Sequence, residues 1–142
     1  MIPELAPGMR ISATGMDAER MRMEIASHNL ANSHTTKDVD GAQYKRRIPV
    51  FKSMIDEAMK KEAAGLEGVK VDDVVLDHSP GESKYLPWHP DADSDGYVKM
   101  PNISPMIEML DIMTASRMYE ANLSAIKQGK QMYKGTIDLL RG

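Results

Sequence analysis

Asp91, Asp93 and Asp95 alternate within Asp91-Ala92-Asp93-Ser94-Asp95-Gly96-Tyr97-Val98, which matches the first eight positions of a calcium-binding EF-hand loop, glycine at the sixth included. Carboxylates at alternate positions can converge on a hard cation. The twelfth position, where a bidentate Glu closes such a site, is Asn102, and His89-Pro90 just upstream disfavours an entering helix. The pattern therefore favours an acidic turn in which Asp side chains bond their own backbone and Gly96 takes a positive φ before a strand.

Four histidines offer the only other metal chemistry. His78 and His89 would face each other across a hairpin and, with Asp91, form a zinc-type donor set, although pairs of loop histidines are usually surface residues. His28 and His34 fall on or just after a helix. Cysteine is absent, which removes disulfides, thiolate nucleophiles and thiolate metal sites together. No nucleophile elbow, P-loop or glycine-rich dinucleotide turn is present. The expectation is a protein that is not an enzyme and needs no cofactor.

Tyr44-Lys45-Arg46-Arg47 is the one dense basic cluster, but 18 basic against 21 acidic residues give a formal charge of -3, so a solvated loop or strand edge is favoured over a nucleic-acid contact. The amino terminus lacks a secretory signal, and no apolar run would span a bilayer, so the chain is expected to be soluble and not membrane-spanning.

Two long helices frame these residues. From about Met9 to Ser33 no proline intervenes, and the segment reads as a helix of roughly 37 Å. Ile11, Ala18, Met21 and Ile25 make one stripe on it, and Met16, Met23, Ala26 and Leu30 a second well round the cylinder. Two apolar faces need two partners. Asn29, Asn32 and Thr35-Thr36 are expected to stop the helix by competing for its backbone.

The second helix runs from Ser104, a cap followed by Pro105 at the first helical position, to about Arg141. Steps of three and four from Met109 give Ile112, Ser116, Tyr119, Leu123, Ile126, Lys130, Tyr133, Ile137 and Leu140, a coiled-coil seam. Ile107, Leu110, Met118, Ala121, Ala125 and Met132 form another line away from it. With 13 methionines and aromatic residues at 5%, the chain is stocked with adaptable side chains suited to helix contacts.

Between the helices, prolines and glycines punctuate the chain. Ser53 to Ala64 reads as a short helix, Val69 to Asp77 as a strand returning through Ser79-Pro80-Gly81-Glu82 to a second over Ser83 to Leu86, and Gly96 to Met100 as a third. The expected class is α+β: an N-terminal helical segment over 1–36, a β-rich middle over 37–103 with a possible short helix over 53–64, and a C-terminal helix over 104–142, the end helices pairing as a coiled coil.

Ala18-Glu19-Arg20-Met21 with Ile25 to Asn32 (IASHNLAN) and Thr36 resembles the amino-terminal signature of the axial rod and hook proteins of the bacterial flagellum. Tyr44, His89-Pro90-Asp91-Ala92-Asp93, Gly96-Tyr97-Val98, Pro101-Asn102-Ile103 and Met113 to Asn122 (MTASRMYEAN) are similar to the rod members of that family. The likeness covers about Met9 to Leu140 and is weakest between Phe51 and Gly68; Ala42 stands where a proline before Gln43-Tyr44 would be usual.

The resemblance implies a structural subunit of the basal-body proximal rod, crossing the periplasm as part of the drive shaft for motility. It also implies export through the flagellar type III apparatus without a cleaved signal, and partners that are other copies of the chain and other rod proteins. The helix stripes, namely Ile11, Met16, Ala18, Met21, Met23, Ile25 and Leu30 with Met109, Ile112, Tyr119, Leu123, Ile126, Tyr133, Ile137 and Leu140, are the expected subunit interface. The residues alone leave open a soluble helical adaptor and, less favourably, a calcium-binding module.

Overall fold

The computed structural model describes residues 7–37, 41–54 and 68–141. Helix α1 spans Pro7–Ala31, β1 Arg47–Met54, β2 Gly68–Leu76, β3 Ser83–Tyr85, β4 Tyr97–Lys99, and helix α2 Pro105–Arg141. Strands β1 and β2 make one antiparallel ribbon and β3 and β4 another. The chain is α+β, two terminal helices around a small antiparallel β middle.

The helices are antiparallel. Met9 of α1 lies against Gly129 of α2, and Gly15 against Asn122; further along, Arg22 bonds Asp111 and Asn29 bonds Glu108. These contacts place the seam of α2 on Glu108, Ala115, Asn122 and Gly129, one residue per heptad, with Ile112, Tyr119 and Ile126 on the same side. The expected seam shares those three residues but paired them with Ser116, Leu123 and Lys130, each one place later. Small residues decide the difference: Ala115 and Gly129 on α2 and Gly15 opposite Asn122 let the backbones approach, and Ala115 is fully buried. Ser104 stands at the N-cap position of α2, its carbonyl accepting from the Glu108 N–H at 3.1 Å.

The β middle departs from expectation in its pairing. The strands over Val69–Asp77, Ser83–Leu86 and Gly96–Met100 form close to their expected bounds, but the first does not turn back onto the second. It pairs with Arg47–Met54, a strand that was not expected and that contains Pro49. A two-stranded ribbon consists of edges, and an edge strand tolerates proline. Ser53 and Met54 end this strand instead of starting a helix, and the remainder of the expected helix over 53–64 lies outside the described residues. At Gly81 the backbone runs so tightly against Met100 that a Cβ would overlap the Met100 carbonyl oxygen. That crossing carries the chain to β4, and β3 pairs there.

Ribbon β1–β2 lies along α1, with the Val69 N–H donating to Thr14 Oγ1 at 3.2 Å. Thr14, Ala18, Met21 and Ile25 fall within about 60° of one another at about 100° per residue, so one stripe of α1 faces the ribbon and the other faces α2. Helix α1 therefore packs against its own chain on two sides, with Met21 left exposed at the margin. Among the described elements α2 packs only on α1.

Candidate functional site

Of the residues expected to stop α1, Asn32 bonds the end of the helix, its Nδ2 donating to the His28 carbonyl at 2.9 Å, whereas Asn29 has a different task. Asn29 is 1% exposed and points into the fold. Its Nδ2 donates to the Arg47 carbonyl at 2.8 Å, and the Arg47 N–H donates to its Oδ1 at 2.9 Å. The side chain thus pairs with the first residue of β1 as a neighbouring strand would.

Glu108, in the first turn of α2, closes this junction. Its Oε2 accepts from Asn29 Nδ2 at 3.1 Å and its Oε1 from Arg46 Nε at 2.6 Å. A carboxylate that is 1% exposed costs several kcal/mol to desolvate unless it is paired and hydrogen-bonded, and both conditions hold. The network continues outward, because Arg22 Nη2 donates to Asp111 Oδ1 at 2.7 Å and Arg46 Nη2 lies 3.6 Å from Asp111 Oδ2. Four carboxylate and guanidinium side chains and one amide weld the end of α1, the start of β1 and the start of α2.

Arg46 is thus a structural cation and not part of a solvated cluster. Tyr44 beside it is buried, with the Arg47 guanidinium carbon 5.8 Å from its ring centre. Sequence reasoning missed Glu108, Arg46, Arg22 and Asp111; the available signal was a glutamate standing on the heptad line of Ala115 and Asn122.

A second lock fastens the β middle. Thr36 Oγ1 donates to Asp91 Oδ2 at 2.6 Å, and Lys37 pairs with the other carboxylate oxygen. The hydrogen bond from Lys37, then that from Thr36, hold the Asp91 carboxyl below the usual carboxylate range. Asp93 Oδ1 accepts from the N–H groups of Asp95 and Tyr97 at 3.0 and 2.8 Å, and Gly96 has φ +82°, so the acidic segment is the self-bonded turn that its residues favour. Asp91 and Asp93 point to different partners and do not converge. His78 and His89 do not face each other across a hairpin, and His89 Nδ1 instead accepts from the Asp91 N–H at 3.1 Å. Among the described residues no group of three or more His, Asp or Glu side chains could hold a metal.

Other motif residues serve the fold. Leu30 is half-buried and Ala31 ends α1. Tyr97 meets Tyr85 edge to face at 5.3 Å, Pro101 is buried, and Asn102 Nδ2 reaches Asp77 at 3.4 Å. Of the expected interface residues, Ala18 and Ile25 are buried by the chain itself, while Ile11, Met16, Met23, Ile112, Tyr119, Leu123, Ile126 and Ile137 are half-buried. Met21, Met109, Tyr133 and Leu140 are exposed.

What the chain leaves open is the other side of α2. Ile107, Leu110, Met118 and Met132 are 54%, 57%, 51% and 74% exposed. The buried apolar residues among those described are Ala18, Ile25, Ala26, Tyr44, Val98 and Ala115, half of them alanine. The buried core is thin, and the exposed apolar face beside it is long. No helix among the described residues is long and apolar enough to cross a membrane.

A family model described as the C-terminal region of flagellar basal body rod FlgEFG proteins matches residues 94–139. Over nearly the whole chain, the sequence is 38% identical to the flagellar basal-body rod protein FlgC of Agrobacterium fabrum, covering 96% of each chain. It is 34% identical to FlgC of Borreliella burgdorferi, covering 97% of this chain and 99% of the relative. The match to FlgC of Aquifex aeolicus is 40%, over 90% of this chain and 91% of the relative.

Proposed function

The chain belongs to the FlgC family of flagellar basal-body rod proteins, and from that premise we propose that the open face of α2 is where it joins its neighbours in the rod. It is a structural subunit of the basal body and not an enzyme. The observation that carries the reading is the uncovered line Ile107, Leu110, Met118 and Met132, which has no partner within the described chain.

Helices α1 and α2 pair as an antiparallel coiled coil whose close register rests on Ala115, Asn122 and Gly129, and the ribbon β1–β2 backs α1. Each pair then buries the outer side of α2 against adjacent copies and other rod proteins. Burying one such side chain stabilises by about 1.5–3 kcal/mol, so a few together offset much of the cost of ordering long helices. A heterologous contact of this kind need not close, which lets subunits follow one another around an axis. The Asn29–Arg46–Glu108 junction sets how the β middle stands on the helices. Met21, Met109, Tyr133 and Leu140 extend the interface, and Ala18 and Ile25 support it from inside.

The rod formed in this way crosses the periplasm, and its subunits travel through the flagellar export apparatus before they assemble. Electron microscopy of basal bodies from a strain lacking the gene tests the function. Absent rods, hooks and filaments, restored by the intact gene, are expected; complete flagella without the gene would refute it.

A further inference from the structure

Every methionine of α2 stands in solvent. Met106, Met109, Met113, Met118 and Met132 are 51–74% exposed, whereas Met9, Met16 and Met23 of α1 are half-buried. At about 100° per residue, Met106, Met109 and Met113 share one side of α2, and Met118 and Met132 stand on the line of Ile107 and Leu110. The first side points away from α1, and the second flanks the seam with it, on the heptad line of Asp111. Met118, Met132 and Met109 therefore lie on the surface through which the subunit is read to assemble, and Met106 and Met113 adjoin it.

We propose that this methionine face is an oxidation site that gates assembly, with a peroxide as oxidant. A thioether sulfur attacks one peroxide oxygen, the O–O bond breaks as the S–O bond forms, and the departing oxygen leaves as water after proton transfer. Sulfur loses two electrons and the peroxide gains them. The product is a polar, chiral sulfoxide where the interface needs a flexible apolar side chain. Oxidation in the free subunit, before neighbours cover the face, keeps the damaged copy out of the rod, and enzymatic reduction by a dithiol, which is oxidised to a disulfide as the oxygen leaves as water, returns it to use.

This inference rests on the assembly reading of α2. The test begins with the purified full-length protein and hydrogen peroxide, with oxygen gain mapped on peptides by mass spectrometry. The five α2 methionines are expected to oxidise at least fivefold faster than Met16 and Met23. Cells are then pulsed with peroxide before rod assembly is induced, and α2 sulfoxide is compared between isolated rods and unassembled subunit. At least tenfold depletion in the rods is expected, and a variant carrying Leu at all five positions should assemble through the pulse. Equal oxidation rates, or equal sulfoxide in both pools, would overturn the inference. Leu110→Asp separates the two claims: if it blocks rods while sulfoxidised subunit still enters them, only the oxidation gate fails, and if it assembles normally, the assembly reading fails.

Discussion

The carboxamide of Asn29 holds the backbone of Arg47 by both of its atoms, at 2.8 and 2.9 Å. An amide offers a donor atom and an acceptor atom side by side, as a neighbouring strand's peptide groups would. Asn29→Ala leaves the Arg47 N–H and carbonyl and one Glu108 oxygen without that partner, at a cost of about 2–4 kcal/mol. Asn29→Asp keeps the shape but sets a carboxylate against Glu108 and a carbonyl, so it should destabilise at least as much. Thermal unfolding of the two variants checks this, and a neutral Asn29→Asp would contradict the assigned bonding.

Gly15 and Asn122 set how closely the helices approach. A Cβ on Gly15 would stand 2.9 Å from Asn122 Nδ2, inside normal contact. Gly15→Ala gains about 1 kcal/mol in helix propensity and loses a comparable amount to crowding, so alone it should hardly move the melting temperature. Paired with Asn122→Ala, the gain should emerge. A double-mutant cycle is expected to show coupling of about 0.5–1 kcal/mol, and simple additivity would place the two residues apart.

Asp91 ties the acidic turn to the stretch after α1, and its carboxyl is held below 3.8 first by Lys37 and then by Thr36. A depressed carboxylate stabilises the fold above its unfolded-state value. The contribution is therefore complete above pH 3.8 and lost as pH falls through the lower folded-state value. Carboxyl titration by NMR should show Asp91 below the ordinary range in the wild type and closer to it in Thr36→Val. An unchanged titration in the variant would remove Thr36 from the lock.

Both helices were legible because long proline-free segments with apolar periodicity and a Ser-Pro start leave little choice. The seam on α2 was offset by one residue, since counting apolar side chains favours Leu123 over Asn122, and steps of three and four from there land on Lys130 and not Gly129. Close approach rewards the small residue, and that depends on Gly15 in the partner. Strand β1 was not expected, and Pro49 within it reads as a breaker until the ribbon is known to be only two strands wide. The Asn29, Arg46 and Glu108 junction draws on three segments, with Asn29 and Glu108 79 positions apart in the chain. Each member alone looks like an ordinary surface or capping residue. The family motif did point to Asn29, Thr36 and Asp91, but only the structure gives their bonds.

The outer face of α2 carries the account, and Leu110, 57% exposed on that face, tests it most directly. Leu110→Asp, expressed in a strain lacking the native gene, should leave the helical circular dichroism of the purified protein unchanged while rods are reduced at least tenfold in electron micrographs of isolated basal bodies. Rods in normal number from that variant would contradict the assignment of this face to assembly.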